Sequence, residues 1–217
     1  MAFPTTSVLD DFNTGASQNL RGRSGWHATN VWNTGDGNWK TDAVPTYAGG
    51  QGTAGIKSAY WGTNPLADCE AYFDWDSALG LDSTILLLRH VFSAGVANGG
   101  YLARIGFSGS ISIETYDTTV LASGSFASPA VGDSYGFEAI GNQLTVYKKP
   151  SGGSWGTDLG GGTLTVSDST YTAAGSIGMA CSAFESVQVS DFGGGSVVGG
   201  VAATVTPYKP MLIQQGR

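Results

Sequence analysis

Four carboxylates crowd the stretch "ADCEAYFDWD": Asp68, Glu70, Asp74 and Asp76, all of one parity. On an extended strand, alternate side chains share a face, and i, i+2 neighbours lie ~6.5–7 Å apart, two residues at ~3.3 Å each. Asp68 and Glu70 are then just within reach of an inverting acid–base pair, in which one carboxyl protonates a leaving oxygen and the other activates water. Tyr72 interrupts the row, however. Four carboxylates on one face more often mark a solvated surface, which is the reading adopted here over an acid–base pair or a cation site. A second group is aromatic. "GWHATNVWNTGDGNWK" sets Trp26, Trp32 and Trp39 among Asn30, Asn33, Asp36 and Asn38, and "SAYWGTN" adds Tyr60, Trp61 and Asn64. Rings that stack on sugar faces, beside amides and carboxylates that bond hydroxyls, are the chemistry of glycan binding. The candidate site residues are Trp32, Asn33, Asp36, Trp39, Tyr60 and Trp61. Trp26 and Trp61 also read as packing residues, because aromatics dominate sandwich interiors.

Other chemistries find no support. His27 and His90 are the two histidines, and no Gly-x-Ser-x-Gly elbow presents a serine. His90 closes an apolar run and reads as a satisfied, semi-buried side chain. No His/Cys cluster has zinc spacing. "GGGSVVGG" lacks the Lys-Ser/Thr of a phosphate-binding loop. No clear multi-carboxylate calcium loop is present, so calcium is left open and unsupported. No catalytic residue, metal ligand or cofactor is therefore assigned. Cys69 and Cys181 read as one long-range disulfide or as two buried thiols, and the thiols are the expectation.

Composition says which elements position these groups. Charged residues are 12% and glycines number 34 of 217, against roughly 25% charged and 7% Gly in ordinary domains. Four Glu and five Lys leave few exposed-helix formers. Short strands joined by Gly-rich turns account for all of this. Period-two alternation follows. "EAYFDWD" sets Ala71, Phe73 and Trp75 against the acidic row; "GYLARIGF" sets Tyr101, Ala103, Ile105 and Phe107 against Leu102 and Arg104; "SISIETY" sets Ile111 and Ile113 against Ser110, Ser112 and Glu114; "ESVQVSDF" sets Val187 and Val189 against Ser186, Gln188 and Ser190. "STILLLRHVF" is apolar on both faces over Ile85–Leu88, as a central strand is. "DSYGFEAIGNQLTVYKK" reads as a hairpin turning at Gly141-Asn142. Residues 76–84 have room for a short helical turn. The net charge is −7, and no basic stripe exists to meet a nucleic acid. No apolar stretch is long enough to span a membrane and no signal peptide opens the chain, so synthesis in a cytoplasm is expected.

The ordered blocks "DDFN", "SAYWGTNPLADCEAYFDW", "GYLARIGFSGSISIE", "VGDSYGFEAIGNQLTVYKK" and "DSTYTAAGSIGMA…VSDFGGG" resemble the concanavalin A-like lectin/glucanase jelly roll, and more narrowly its laminin-G-like versions in structural proteins of tailed bacteriophages. The resemblance covers about residues 8–195. It implies an all-β, two-sheet antiparallel jelly-roll sandwich with first and last strands side by side. Phe12 and Phe192 would be buried there, with Asp11 and Asp191 capping or pairing at the strand ends. The family's glucanase motif, Glu-x-Asp-x-x-Glu, is absent, so the chain is read as non-enzymatic, with a glycoside hydrolase as the remote alternative.

The expected division is a sandwich over 1–195 and a linker and extended arm over 196–217. The arm "ATVTPYKPMLIQQGR" offers Val205, Tyr208, Met211, Leu212 and Ile213 as anchors for a partner's sheet edge or groove. Together with the resemblance this gives the leading functional expectation: a virion structural protein of a tailed phage, a capsid decoration protein held by its arm to capsid or other virion proteins, homo-oligomeric on the particle. The alternative is a carbohydrate-binding module for host-surface polysaccharide, on the tail or free.

Overall fold

A computed structural model describes residues 3–12, 18–19, 24–29, 39–41, 48–50, 56–76, 83–93, 96–156, 162–182 and 188–197. Its strands are β1 (Val8–Asp10), β2 (Gln18–Asn19), β3 (Trp26–Thr29), β4 (Trp39–Thr41), β5 (Ala48–Gly50), β6 (Ile56–Leu66), β7 (Cys69–Trp75), β8 (Ser83–Ser93), β9 (Val96–Gly106), β10 (Ser110–Thr115), β11 (Val120–Ser125), β12 (Ser134–Ile140), β13 (Gln143–Lys149), β14 (Gly162–Ser167), β15 (Gly175–Ser182) and β16 (Gln188–Ser196). They form two antiparallel sheets. The first has nine strands in the order β14-β13-β12-β7-β16-β5-β4-β2, with β1 joining β16; the second has seven, β11-β10-β9-β8-β15-β6-β3. This is the all-β sandwich expected. No helix occurs among the described residues; the expected helical turn falls largely on 77–82, outside them.

Alternation decides what each sheet buries. Ala71, Phe73 and Trp75 of β7, Tyr135, Phe137 and Ala139 of β12, and Leu144 and Val146 of β13 point inward. They meet Leu86 and Leu88 of β8, Tyr101, Ala103 and Ile105 of β9, Ile111 and Ile113 of β10, and Ile177 and Met179 of β15. Strand β8 lies between β9 and β15 and is buried throughout Ser83–His90, which explains its two apolar faces. Strands β12 and β13 close Ile140 onto Gln143 across Gly141-Asn142, and Gly141 takes the positive φ (53°) that so tight a reversal needs. Cys69 and Cys181 remain thiols within the core, and burial pushes the Cys69 thiol up to about 12.

The two Asp-Phe elements do meet. Strand β1 pairs with β16, Val8 opposite Gly193 and Asp10 opposite Phe192. Phe12 and Phe192 are fully buried against Trp26, at ring-centroid distances of 6.0 and 4.8 Å. The capping residue is Asp10, however. Its Oδ1 accepts from Phe12 N at 2.8 Å and its Oδ2 from Trp26 Nε1 at 2.7 Å. This Asx turn holds Phe12 at φ 55°. Asp11 and Asp191 also lie in an acidic group with Asp74 and Asp76. Desolvation, and then the charges of Asp74, Asp11 and Asp76, raise the Asp191 carboxyl above the usual range.

Buried charges fasten loops to the sheets. Arg89, 1% exposed, donates to the carbonyls of Ala67 (2.6 Å), Gly141 (2.7 Å) and Tyr171 (3.1 Å), with Asp68 at 3.5 Å. Lys148 is buried against Asp133 at 2.8 Å and donates to Ala127 O at 2.8 Å. His90, read as semi-buried, is completely enclosed beside Tyr116, and desolvation lowers its imidazole to about 4.

Candidate functional site

The acidic row of β7 faces away from the core, but its middle is not solvated. Glu70 is 0% exposed and Tyr72 7%. The cause is the segment Phe3–Thr6, which lies across the outer face of the nine-stranded sheet. Thr5 N and Thr6 N each donate to Glu70 Oε1 at 2.7 Å, and Thr6 Oγ1 donates to the same oxygen at 2.6 Å. Tyr72 Oη donates to Thr6 O at 3.0 Å. The expected solvated face therefore fails at Glu70, while Asp68, Asp74 and Asp76 remain partly exposed.

Around Glu70 the sheet builds an aromatic floor. Register places Glu138 of β12 opposite Glu70, Gly136 opposite Tyr72, and Tyr147 of β13 opposite Gly136. All of these share the outer face. Phe3 stacks on Tyr147, with ring centroids 4.3 Å apart and planes at 15°, and meets the edge of Trp155 at 4.9 Å. Lys149 Nζ stands 5.5 Å from the Trp155 ring centroid. Two glycines make room: a Cβ on Gly136 would lie 2.1 Å from the Phe3 ring, and one on Gly193 2.1 Å from the Tyr72 ring.

The electrostatics are those of two carboxylates on a partly dry sheet face. Glu138 Oε2 accepts from Tyr147 Oη at 3.0 Å. Desolvation raises the Glu138 carboxyl, the Tyr147 bond opposes this, and the Glu70 charge adds to it. Burial, aided by Glu138, pushes the Tyr147 phenol well above its ordinary value; Tyr72 rises to about 12, from burial first and then the Glu70 charge. Glu70 Oε2 is buried without a hydrogen-bond partner.

The structure also parts Asp68 and Glu70, the two carboxyls weighed and set aside as an acid–base pair. Asp68 lies in the β6–β7 turn, accepting from Gly141 N at 2.9 Å beside Arg89, whereas Glu70 is committed to Thr5 and Thr6. Each carboxyl uses one oxygen, Asp68 Oδ1 and Glu70 Oε1, to hold main chain. Among the described residues no group of three or more His, Cys, Asp or Glu is placed to hold a metal ion.

Of the residues proposed from the sequence, Trp32, Asn33 and Asp36 lie outside the described residues, as do Val205, Tyr208, Met211, Leu212 and Ile213 of the arm. Trp39 belongs to β4, and its side chain is likewise outside the description. Tyr60 and Trp61 are half-buried neighbours on β6 and point to opposite faces. Trp61 packs on Trp26, with centroids 5.4 Å apart at 87°, and joins the core. The described structure thus does not bring Tyr60 and Trp61 to one face. The outer-face group of Glu70, Tyr72, Glu138, Tyr147 and Trp155 escaped sequence reasoning. Its trace was an aromatic interrupting an acidic row, with small residues wherever the rings close in.

No protein-family model matches the chain, and no curated protein matches it by sequence. Solved structures match it in fold. Carbohydrate-binding module CBM66 from Bacillus subtilis aligns with a TM-score of 0.53 at 15% identity, over 79% of this chain and 93% of its own. The exoplasmic/lumenal domain of VIP36, in a form bound to Ca2+ and Man2, gives 0.57 at 12% identity over 85% and 89%. The CBM2 module of the evolved Dit of Lactobacillus casei BL23 phage J-1 gives 0.50 at 12% over 82% and 95%. The architecture is thus that of a lectin-type β-sandwich. The first of these is a carbohydrate-binding module by name, the second was solved with Ca2+ and Man2 bound, and the third is a CBM2 module.

Proposed function

We propose that the chain is a non-catalytic carbohydrate-binding module. The observation that carries this is the outer face of the nine-stranded sheet, where the rings of Tyr72, Tyr147 and Trp155 surround the carboxylates of Glu70 and Glu138. Apolar sugar faces stack on such rings, and hydroxyls donate to such carboxylates; few fixed polar groups among aromatics is the general make-up of small-ligand sites. The likeness to carbohydrate-binding modules and to a domain solved with Man2 bound supports the same class. The test is an array of bacterial surface polysaccharides, followed by titration. Trp155→Ala is expected to weaken binding at least about tenfold, the loss of one stacked ring. A Trp155→Ala variant that binds as the wild type does would move the site elsewhere, with Trp32 and Trp39 next to change.

A second reading places this module on a tailed-phage particle, as a capsid decoration or other virion protein attached through the linker and arm over 196–217. The phage module among its structural neighbours and the resemblance of its ordered sequence blocks favour it. Repeated copies on a particle would turn weak glycan contacts into avidity. Mass spectrometry of purified particles is expected to find the chain in stoichiometric amounts, and removal of residues 198–217 to release it. Particles that lack the chain, or keep it after truncation, count against the placement or the arm.

A further inference from the structure

The segment Phe3–Thr6 is held as a ligand is held. The amides of Thr5 and Thr6 donate not to a neighbouring strand but to a side chain, and three donors converge on one oxygen, Glu70 Oε1. The apolar anchor is a single ring, Phe3, laid parallel on Tyr147 and edge-on to Trp155. Thr5, Ser7 and Val8 are exposed, and the strand that follows, β1, has three residues. Segments with so few buried apolar contacts open at the low end of a protein's range of local free energies.

The groove beneath has more to offer than this occupant uses. A carboxylate carries about four acceptor positions on its two oxygens, yet Glu70 Oε2 is buried and unbonded. Glu138 faces Glu70 directly across the β7–β12 ladder. Cross-strand neighbours of this kind have Cβ atoms ~4.5–5.5 Å apart, and like charges so placed repel. A molecule rich in hydroxyl donors would satisfy both carboxylates, and the face of Tyr147 now under Phe3 would accept the apolar face of a sugar ring. The contacts of the bound segment, a flat group on Tyr147 and a hydroxyl on Glu70, are of the same two kinds.

We propose that Phe3–Thr6 is a displaceable strap closing a glycan groove formed by Glu70, Tyr72, Glu138, Tyr147 and Trp155. The inference rests on the carbohydrate-binding reading and adds where the sugar sits and what competes with it. Strap and glycan bind the same atoms, so observed affinity is the intrinsic affinity reduced by the fraction of molecules with the strap open. Binding then requires no movement of the sandwich itself.

The test uses the full chain and the strongest polysaccharide from the array, titrated into wild type, Phe3→Ala and Thr6→Val. Phe3→Ala removes the anchor ring and is expected to bind about tenfold tighter, as the closed state is depopulated. Thr6→Val removes one donor while preserving shape, and is expected to tighten binding by a smaller factor; it serves if Phe3→Ala does not fold. In wild type, the Thr5 and Thr6 amides are expected to exchange faster with solvent when the polysaccharide is added. Unchanged or weaker affinity in the folded variants, or slower exchange of those amides, overturns the strap. Binding that ignores the strap but is lost on Trp32→Ala or Trp39→Ala leaves the carbohydrate-binding reading standing without it. No polysaccharide bound by any of the three proteins overturns both.

Discussion

Enclosure of His90 makes acid a specific perturbation. Its imidazole is lowered from 6.5 to about 4, chiefly by desolvation, with a backbone hydrogen bond at Tyr101 acting in the opposite direction. The unfolded chain takes a proton on this ring below pH 6.5, whereas the folded chain resists until about pH 4. Its contribution to stability is therefore complete above 6.5, falls as pH drops through that window, and stops falling below about 4. The shift of 6.5 to about 4 is worth about 3 kcal/mol in full at 1.36 kcal/mol per unit, of which about 2 kcal/mol lies between about pH 7 and about pH 4.5. Urea unfolding of wild type and His90→Asn at these two pH values isolates it. Asp191 and Glu138, raised carboxyls whose effect runs the opposite way, are common to both proteins and cancel in the difference. Wild type is expected to lose about 2 kcal/mol more than the variant on acidification. Parallel losses in the two proteins would refute the reasoning, as would an NMR titration placing the wild-type ring near 6.5.

Other outcomes follow from the buried charges. Arg89→Met strands the carbonyls of Ala67, Gly141 and Tyr171. At roughly 1–3 kcal/mol for each orphaned buried acceptor, a loss of about 4 kcal/mol or more is expected in urea unfolding, with Arg89→Lys recovering less than half. Lys148→Met leaves Asp133 buried beside no ammonium; a loss of about 3–5 kcal/mol is expected, eased by adding Asp133→Asn. Asp191→Asn relieves a carboxylate whose charged form is disfavoured. It is expected to stabilise the protein at neutral pH by about a few tenths of a kcal/mol, the gain disappearing in acid where Asp191 is protonated. Asn also tolerates the φ of 49° at this position.

Where side-chain period and sheet geometry coincide, the strands were legible. Strands β7, β9 and β10 alternate, β8 is apolar on both faces because Leu86 and Leu88 join the main core while Ile85 and Leu87 are buried with Leu102 and Ala180, and Gly141-Asn142 marks the β12–β13 turn. The adjacency of β1 and β16 followed from the resemblance, but the cap at Phe12 and Trp26 is made by Asp10, which sequence reasoning did not single out. Periodicity carries no information about what lies on top of a strand. Glu70 and Tyr72 alternate as solvated residues do, and only the four-residue crossing of Phe3–Thr6 turns them into a buried site. That crossing has no period to detect. The burial of Arg89 and Lys148 leaves no periodic trace for the same reason: their acceptors are carbonyls of distant loops, 22 to 82 residues away for the main-chain bonds of Arg89.

The pairing of β1 with β16 also settles how the sandwich would respond to tension. The chain enters at Val8 beside Gly193, and β16 runs on from there to Ser196. In this antiparallel pair the incoming and outgoing ends lie at the same end of the two strands. A pull between them would part the ladder one hydrogen bond at a time, as a zipper opens, instead of shearing several together. Separation would start where Phe3–Thr6 joins the sheet, so a module tethered at both ends would yield first at its own strap.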